Sequence, residues 1–398
     1  MEWKTVRLGD YISIKSGLAY KGSKLGHGDS ILLGMGCVSF KDKFVMTGAR
    51  PYNDVVDDRF CVAPGDIVLA TRQQSDNLPI LAMPAIIPQS FAGKRVIFGT
   101  NLYKVDNHSE ISNRFLFWLL KHQHYVNYIA GVKSGTAVQM VTKKNVEDYK
   151  FLCPPKKERE KIADILWTYD SLIENNKKRI KLLEQMAENL YKEWFVRFRF
   201  PGYETAEFEG GVPKGWSSQA SNNRKPKGWT YGELKELGAF VRGKNITSAE
   251  MVPGPVPVMS AGIEPSGYHN QANVDGPSLT ISSSGANAGF LKYNLTDIWA
   301  ADCSFYNIPT NIWLVYFSLK YLRPVLRNLQ CGAAQPHVYP KDVNRQCIIL
   351  PPDDLIKTFE RKCQMVFENI HCLNKQIGLL TTQRDLLLPR LMSGKLSI

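Results

Sequence analysis

Residue types capable of catalysis or metal binding are present in this 398-residue chain, but not at working spacings. The eight cysteines stand at 37, 61, 153, 303, 331, 347, 363 and 372, and no two form a C-x-x-C pair. That pattern fits neither a zinc site nor a disulfide framework, so reduced, partly buried thiols are expected. His122 and His124 could begin a ligand set, but no second cluster completes it, and no metal is expected. The carboxylates Asp54, Asp57 and Asp58 are crowded together, which suits a solvated turn. LGMGCVSF, residues 33–40, is the nearest approach to a glycine-rich cofactor loop. No clear helix follows it, and a β-turn is the simpler reading. A DNA adenine methyltransferase needs a turn such as NPPY or DPPF, and a P-loop enzyme needs GxxxxGK[ST]; the sequence contains neither. The chain is therefore expected to have no catalytic centre and to bind no cofactor of its own.

Recognition chemistry is better represented. The formal charge is +13 and the sequence pI is about 9.2. Residues 1–150 carry the largest share of the excess, with 19 basic and 13 acidic groups. A basic chain favours a polyanionic partner, usually nucleic acid. Candidate DNA-contacting residues fall in loop-like stretches. Tyr20 and Lys21 lie in SGLAYKG (16–22), and Arg242, Lys244 and Asn245 in RGKNITS (242–248). Arg72, Gln73, Gln74 and Ser75 follow a strand-like run, with Ser283, Ser284 and Asn287 at the comparable place later in the chain. Thr136 and Gln139 face Gln335, His337 and Tyr339 in a matched pair of segments described below. Arginine and lysine suit guanine or phosphate, whereas asparagine and glutamine suit adenine edges. Ordinary loop solvation is the competing reading for any one of these residues.

The elements that must position these loops are written twice. Gly135–Pro155 aligns without gaps on Gly332–Pro352, with seven of 21 positions identical, including Val141/Val338, Lys144/Lys341 and both prolines. Trp3, Leu8 and Gly17 fall at the same spacing as Trp229, Leu234 and Gly243. Between these anchors the halves differ in length and content. One frame with two different middles implies one scaffold used for two specificities. The middles read as mixed α/β: FCVAPGDIVLATR (60–72) and PSLTISSSG (277–285) are strand-like, and Asn113–Ile129 and Thr310–Leu329 carry helical patterns, the latter ended or kinked by Pro324.

After each double proline the pattern changes. From Ile162 to Trp194, and again from Phe359 to Leu391, seam positions recur at alternating steps of four and three. Each run has ten positions and one polar member, Asn176 in the first and Arg384 in the second. This heptad signal predicts two long helices, each of which needs a partner for its apolar stripe. Pro201-Gly202 should stop the first helix, and Pro389 and Gly394 should blunt the second. A short link favours an antiparallel pair, which would place two globular domains at opposite ends, about a two-fold axis. Trp194, Phe195, Phe198 and Phe200, interleaved with Arg197 and Arg199, suit packing on the second domain, or docking of a partner. The expected fold class is thus α+β: two mixed α/β domains separated by a long antiparallel two-helix coiled coil, with an internal repeat. The expected boundaries are 1–153 for the first domain, 154–200 for a helical spacer and 201–228 for a link. Residues 229–350 would form the second domain and 351–398 the second spacer.

PPKKEREKIADIL (154–166), KKRIKLLEQMAENLYKEWFVRFRFPGYE (177–204), VPKGW (212–216) and LLLPRLMSGKLSI (386–398), in this order, resemble the specificity (S) subunits of type I restriction-modification systems. The resemblance covers nearly the whole chain. It implies two target-recognition domains reading a bipartite, asymmetric site in double-stranded DNA, and no catalytic centre. It further implies two adenine-N6 methyltransferase (M) subunits, which carry S-adenosylmethionine, and optionally two restriction (R) subunits, which use ATP and Mg. One departure is that PKGW occurs twice, at 213–216 and 226–229, so the second domain starts somewhere within 213–229. The competing functions are a self-sufficient DNA methyltransferase or endonuclease, and a stand-alone DNA-binding regulator. No apolar run approaches the ~20 residues of a membrane helix, and MEWKTVRLGD has no signal-like apolar region, so a cytoplasmic location is expected.

Overall fold

A computed structural model of the chain describes residues 3–74, 79–210, 224–322 and 336–396. The chain divides into two compact units, Met1–Asn175 with Ile377–Ile398, and Asn176–Gln376.

In the first unit, strand Lys4–Arg7 pairs antiparallel with Lys150–Cys153, Lys4 opposite Cys153. The backbone N–H of Leu8 then donates to the Tyr149 carbonyl at 2.8 Å. The chain enters a four-stranded antiparallel sheet in the order Ile12–Ser16, Leu102–Asn107, Ile67–Ala70, Pro84–Ile86. Ile67–Ala70 is apolar throughout and buried at every residue, as a strand covered on both faces must be. A second sheet runs Ala49–Tyr52, Leu25–Leu33, Val96–Phe98, Cys61–Val62, with the Leu25–Leu33 and Val96–Phe98 strands parallel. The helical pattern after residue 113 is interrupted. Helix Asn113–Lys121, capped by Ser112, ends at His122, whose ψ of 140° is extended, and a new helix runs Gln123–Val132. Phe115–Leu120 are all buried, so this helix lies in the core rather than presenting one stripe.

The second unit repeats the frame in register. Strand Thr230–Glu233 pairs with Cys347–Leu350, Thr230 opposite Leu350, and Leu234 N–H donates to the Gln346 carbonyl at 2.9 Å. These are the partners reached from Lys4, Cys153, Leu8 and Tyr149 by the displacements that carry Trp3 to Trp229 and Pro154 to Pro351. A side-chain tie repeats as well. Ile14 N–H donates to Glu147 Oε1 at 2.9 Å, and Phe240 N–H to Asn344 Oδ1 at 2.8 Å. The middles, divergent in sequence, share topology. The second unit has a four-stranded sheet ordered Val241–Arg242, Cys303–Tyr306, Ser278–Ser282, Leu291–Asn294, and a three-stranded sheet with one parallel pairing. Even a left-handed residue is matched: Ala82 (φ 54°) and Gly289 (φ 81°) both donate N–H to the last residue of the central strand, Ala70 or Ser282. Of the helix expected over Thr310–Leu329, Ile312–Tyr321 is observed, while Pro324 and the rest of 323–329 lie outside the described residues. The link at 201–228 contains a two-stranded pairing of Phe208–Gly210 with Arg224–Pro226.

The first long helix spans Lys156–Tyr191, 36 residues, and the second Asp353–Met392, 40 residues. At 1.5 Å per residue these are about 54 and 60 Å long. Each follows its proline pair directly, where the missing N–H costs no intrahelical bond. None of the seam residues is exposed. In the first unit, Ile162 and Leu166 are buried in one cluster with Leu391. In the second, Ala187 and Trp194 are buried with Phe359, Cys363 and Ile370. In each unit, therefore, one end of one long helix packs against the opposite end of the other, which is antiparallel packing. Pro389 does not end the second helix, which continues to Met392. Trp194, Phe195 and Phe198 are buried, with the Phe195 and Phe359 rings 4.9 Å apart and Phe200 and Trp229 also 4.9 Å apart. The aromatic segment that follows the first helix is thus core of the second unit.

Candidate nucleic-acid interface

The matched glycines fix where the first loop leaves each frame. Gly17 N–H donates to the Leu102 carbonyl at 3.1 Å, and Gly243 N–H to that of Cys303 at 2.9 Å. A Cβ at Gly17 would lie 2.1 Å from the Gly99 oxygen, and one at Gly243 would lie 2.5 Å from the oxygens of Ala300 and Ala301. Those obstacles are backbone, so only glycine allows this approach. Lys21 is exposed just beyond the first crossing. Tyr20 is half-buried, set edge-on to Tyr52 with ring centroids 6.4 Å apart. Beyond the second crossing Lys244 and Asn245 are exposed, as is Arg242 before it. Lys244 is held through its backbone, its N–H on the Ala300 carbonyl at 2.9 Å and its carbonyl on Trp299 Nε1 at 2.8 Å.

The structure also brings together the other expected segments. Val141 N–H donates to the Thr71 carbonyl at 3.2 Å, and Val338 N–H to that of Ser283 at 3.0 Å. Arg72 and Gln73 consequently pair with Met140 and Gln139, and Ser284 bridges His337. Three expected readers are internal. Gln73 is buried; its Nε2 donates to Gln139 Oε1 at 2.6 Å, and its Oε1 accepts from Ile80 and Leu81 N–H at 3.0 and 2.9 Å. Its amide is thus engaged by Gln139, Ile80 and Leu81. Ser283 is fully buried, and Ser284 is buried with its hydroxyl donating to Asp302 at 2.6 Å. Gln74 and Thr136 are exposed, the latter between Ser134 and Met140, whose backbones pair. His337 stacks on Tyr339 with centroids 6.1 Å apart, and Lys341 lies 5.7 Å over the Tyr339 ring. Asn287 is half-buried and closes a short 3-10 turn from Gly285. Ser75, Gln335 and the first PKGW lie outside the described residues.

Asp302 and Asn101 were not among the expected residues. Arg242 Nη2 donates to Asp302 Oδ1 while Ser284 holds Oδ2. No sequence signal marks Asp302, because it lies in a middle where the two halves cannot be aligned residue by residue. Met35–Cys37 is one 3-10 turn after strand Leu25–Leu33, not the start of a helix that could hold a cofactor phosphate. Burial pushes the Cys37 and Cys303 thiols up to about 12, so neither is a thiolate nucleophile at neutral pH. The His122 and His124 rings are 4.8 Å apart, and burial, with His124 as a lesser cause, pushes His122 down to about 4. Among the described residues no group of three or more His, Cys, Asp or Glu side chains could hold a metal ion. Nor is any described helix long and apolar enough to cross a membrane.

Outside the seam, the second long helix exposes apolar residues at heptad spacing. In the second unit these are Met365 and Cys372, and in the first Leu379 and Leu386.

The sequence matches the family model of the type I restriction modification DNA specificity domain over residues 1–185 and again over 226–357. It is 25% identical over 362 residues to the type I restriction enzyme MjaIX specificity subunit of Methanocaldococcus jannaschii, covering 84% of this chain and 78% of that one. It is 26% identical over 358 residues to the HindI specificity subunit of Haemophilus influenzae, covering 71% and 77%. The fold is similar to the crystal structure of a type I restriction-modification S subunit from M. genitalium. The TM-score is 0.58 at 17% identity, over 98% of this chain and 96% of that chain.

Proposed function

Because the chain belongs to the type I restriction modification DNA specificity family, and is the non-catalytic, DNA-recognising subunit of such a system, we propose how the recognition is divided. Each of its two modules reads one half of a bipartite, asymmetric site in double-stranded DNA. The observation that carries this is the repeated frame holding unlike loops. The backbone ties at Gly17 and Gly243, and at Val141 and Val338, are the same, while the side chains they present differ. One scaffold then aims two chemistries at two targets. Lys21, Arg72, Gln74 and Thr136 face DNA in the first module, with Tyr20 and Gln139 supporting them. Arg242, Lys244, Asn245, Asn287, His337 and Tyr339 do so in the second. Gln73, Ser283 and Ser284 shape the loops from beneath.

The subunit assembles with two methyltransferase subunits, and optionally with two restriction subunits, in the cytoplasm. The exposed apolar pairs Met365/Cys372 and Leu379/Leu386 support docking of partner helices, since apolar residues at heptad spacing need a cover. S-adenosylmethionine belongs to the methyltransferase subunits, and ATP and Mg to the restriction subunits. The test is exchange of residues 18–133 for the corresponding part of a related subunit, read by mapping methylated adenines. One half-site should change and the other stay. A change in both would end the one-module, one-half-site reading. Measurable equilibrium binding of S-adenosylmethionine to the purified chain would favour a self-sufficient methyltransferase instead.

A further inference from the structure

We propose that Asp302 is a positioning residue that holds Arg242 in the pose from which it reads a guanine in the second module's half-site. The assignment rests on the function proposed above and adds a specific pair of residues to it.

A carboxylate on a surface that meets DNA repels phosphate unless it is neutralised and used. Asp302 is both. Its Oδ1 takes Arg242 Nη2, and its Oδ2 takes the Ser284 hydroxyl at 2.6 Å. Ser284 is itself buried and fixed by its backbone bridge to His337. The backbone under Arg242 is equally fixed. Arg242 pairs with Ser304 at the sheet edge, and the next two residues are tied to Cys303 and Ala300. The guanidinium remains partly exposed, with side-chain exposure of 44%. It has five N–H donors in a rigid fork, and the pair with Asp302 leaves the rest available. A guanidinium held in one pose loses little entropy on meeting the O6 and N7 acceptors of guanine, the pairing its fork fits best.

The same corner of the first module supports the assignment. The shared backbone ties make Ser16, Arg72 and Asn101 the counterparts of Arg242, Ser284 and Asp302. Both modules thus carry one arginine and one serine there, on exchanged strands, and only the second has a carboxylate. In the first module, Arg72 Nε and Asn101 Oδ1 are buried without a hydrogen-bond partner among the described residues. Asp302 therefore accompanies the arginine on the first strand and is not a fixture of the scaffold.

The test selects sequences from duplexes randomised in both half-sites, using the full chain, assembled with its partner subunits where they co-purify. Arg242→Ala should erase a guanine preference at one position of one half-site. Asp302→Ala should weaken that same preference about tenfold, leave the other half-site intact and melt like the wild type. Asp302→Asn keeps the side-chain shape and one acceptor, and should weaken the preference by a smaller factor; it serves if the alanine variant fails to fold. Two results would overturn the assignment while sparing the function: unchanged selection by both Asp302 variants, or a loss at a different position, which would make Asp302 a base reader itself. A wild-type chain that selects no sequence would overturn the function, and the assignment with it.

Discussion

Arg384 donates to Asp170 at 2.6 Å, and the two side chains are almost completely buried within the first unit. Arg384 is the polar member of the second seam, and Asp170 lies beside the first. Asp170 Oδ2 has no hydrogen-bond partner among the described residues, and burial raises its carboxyl more than Arg384 lowers it. The pair is held by mutual need. Arg384→Met should cost about 3–5 kcal/mol, because it strands a buried carboxylate. Adding Asp170→Leu should restore most of that loss. Urea denaturation of the two variants measures this; equal stability of the single and double variants would contradict it.

Glu360 makes a different demand. Its carboxylate reaches the start of helix Ile312–Tyr321 and accepts from Trp313 and Leu314 N–H at 3.2 and 2.8 Å. The first module caps its equivalent helix with Ser112 instead. Burial pushes Glu360 up to about 7, against 4.5 ordinarily. The folded state therefore holds this proton more tightly than the unfolded one, and the group's contribution to stability falls as pH rises from 4.5 to 7. Glu360→Gln keeps an acceptor for the helix and removes the titration. Its stability relative to wild type should grow across that window, by at most about 3 kcal/mol. Parallel denaturation curves from pH 4.5 to 7.5 measure the difference, and a constant offset would refute it.

How much of this was legible depended on whether sequence spacing was preserved. Trp3, Leu8 and Gly17 keep their spacing in the second half, and the strand pairings anchored there share one register. The long helices were readable because a heptad seam is local and uninterrupted. In the middles, insertions destroy the alignment while the hydrogen-bonding pattern survives, so the common sheet order could not be read. The break at His122 left no mark, since the residues on both sides keep a helical apolar pattern. Gln73 and Ser283 look like loop polars, and only the fold shows that they point inward. Asp302 could not be found from the sequence, because its partners Arg242 and Ser284 are 60 and 18 residues away.

Phosphate contacts and base contacts should separate experimentally. Lys21 and Lys244 are exposed ammonium groups beside the glycine crossings. Replacing either with alanine should weaken the assembled complex similarly on all DNA sequences. The slope of log K against log salt should fall in magnitude by roughly 1 per lysine that meets a phosphate. A change in base preference with an unaltered slope would instead make that lysine a base reader. Filter-binding or anisotropy titrations between 50 and 200 mM salt cover the useful range.

The glycine crossings offer the sharpest test of modularity. Gly17→Ala puts a methyl 2.1 Å from the Gly99 oxygen, and Gly243→Ala puts one 2.5 Å from the oxygens of Ala300 and Ala301. Backbone cannot yield as a side chain can, so the strand end must shift and carry its loop with it. Overpacking of this kind typically costs about 1–3 kcal/mol. The functional consequence should be local. The first variant displaces the loop bearing Tyr20 and Lys21, and the second displaces Arg242, Lys244 and Asn245. Each variant should therefore blur one half-site in a methylation map and leave the other sharp, and the blurred half should switch between the two. Gly65→Ala is a useful control. Its φ of 91° strains any side chain, but no atom lies within 4 Å of the new methyl. It should cost stability without displacing either reading loop. If Gly17→Ala and Gly243→Ala blurred the same half-site, the two frames would not serve separate readers.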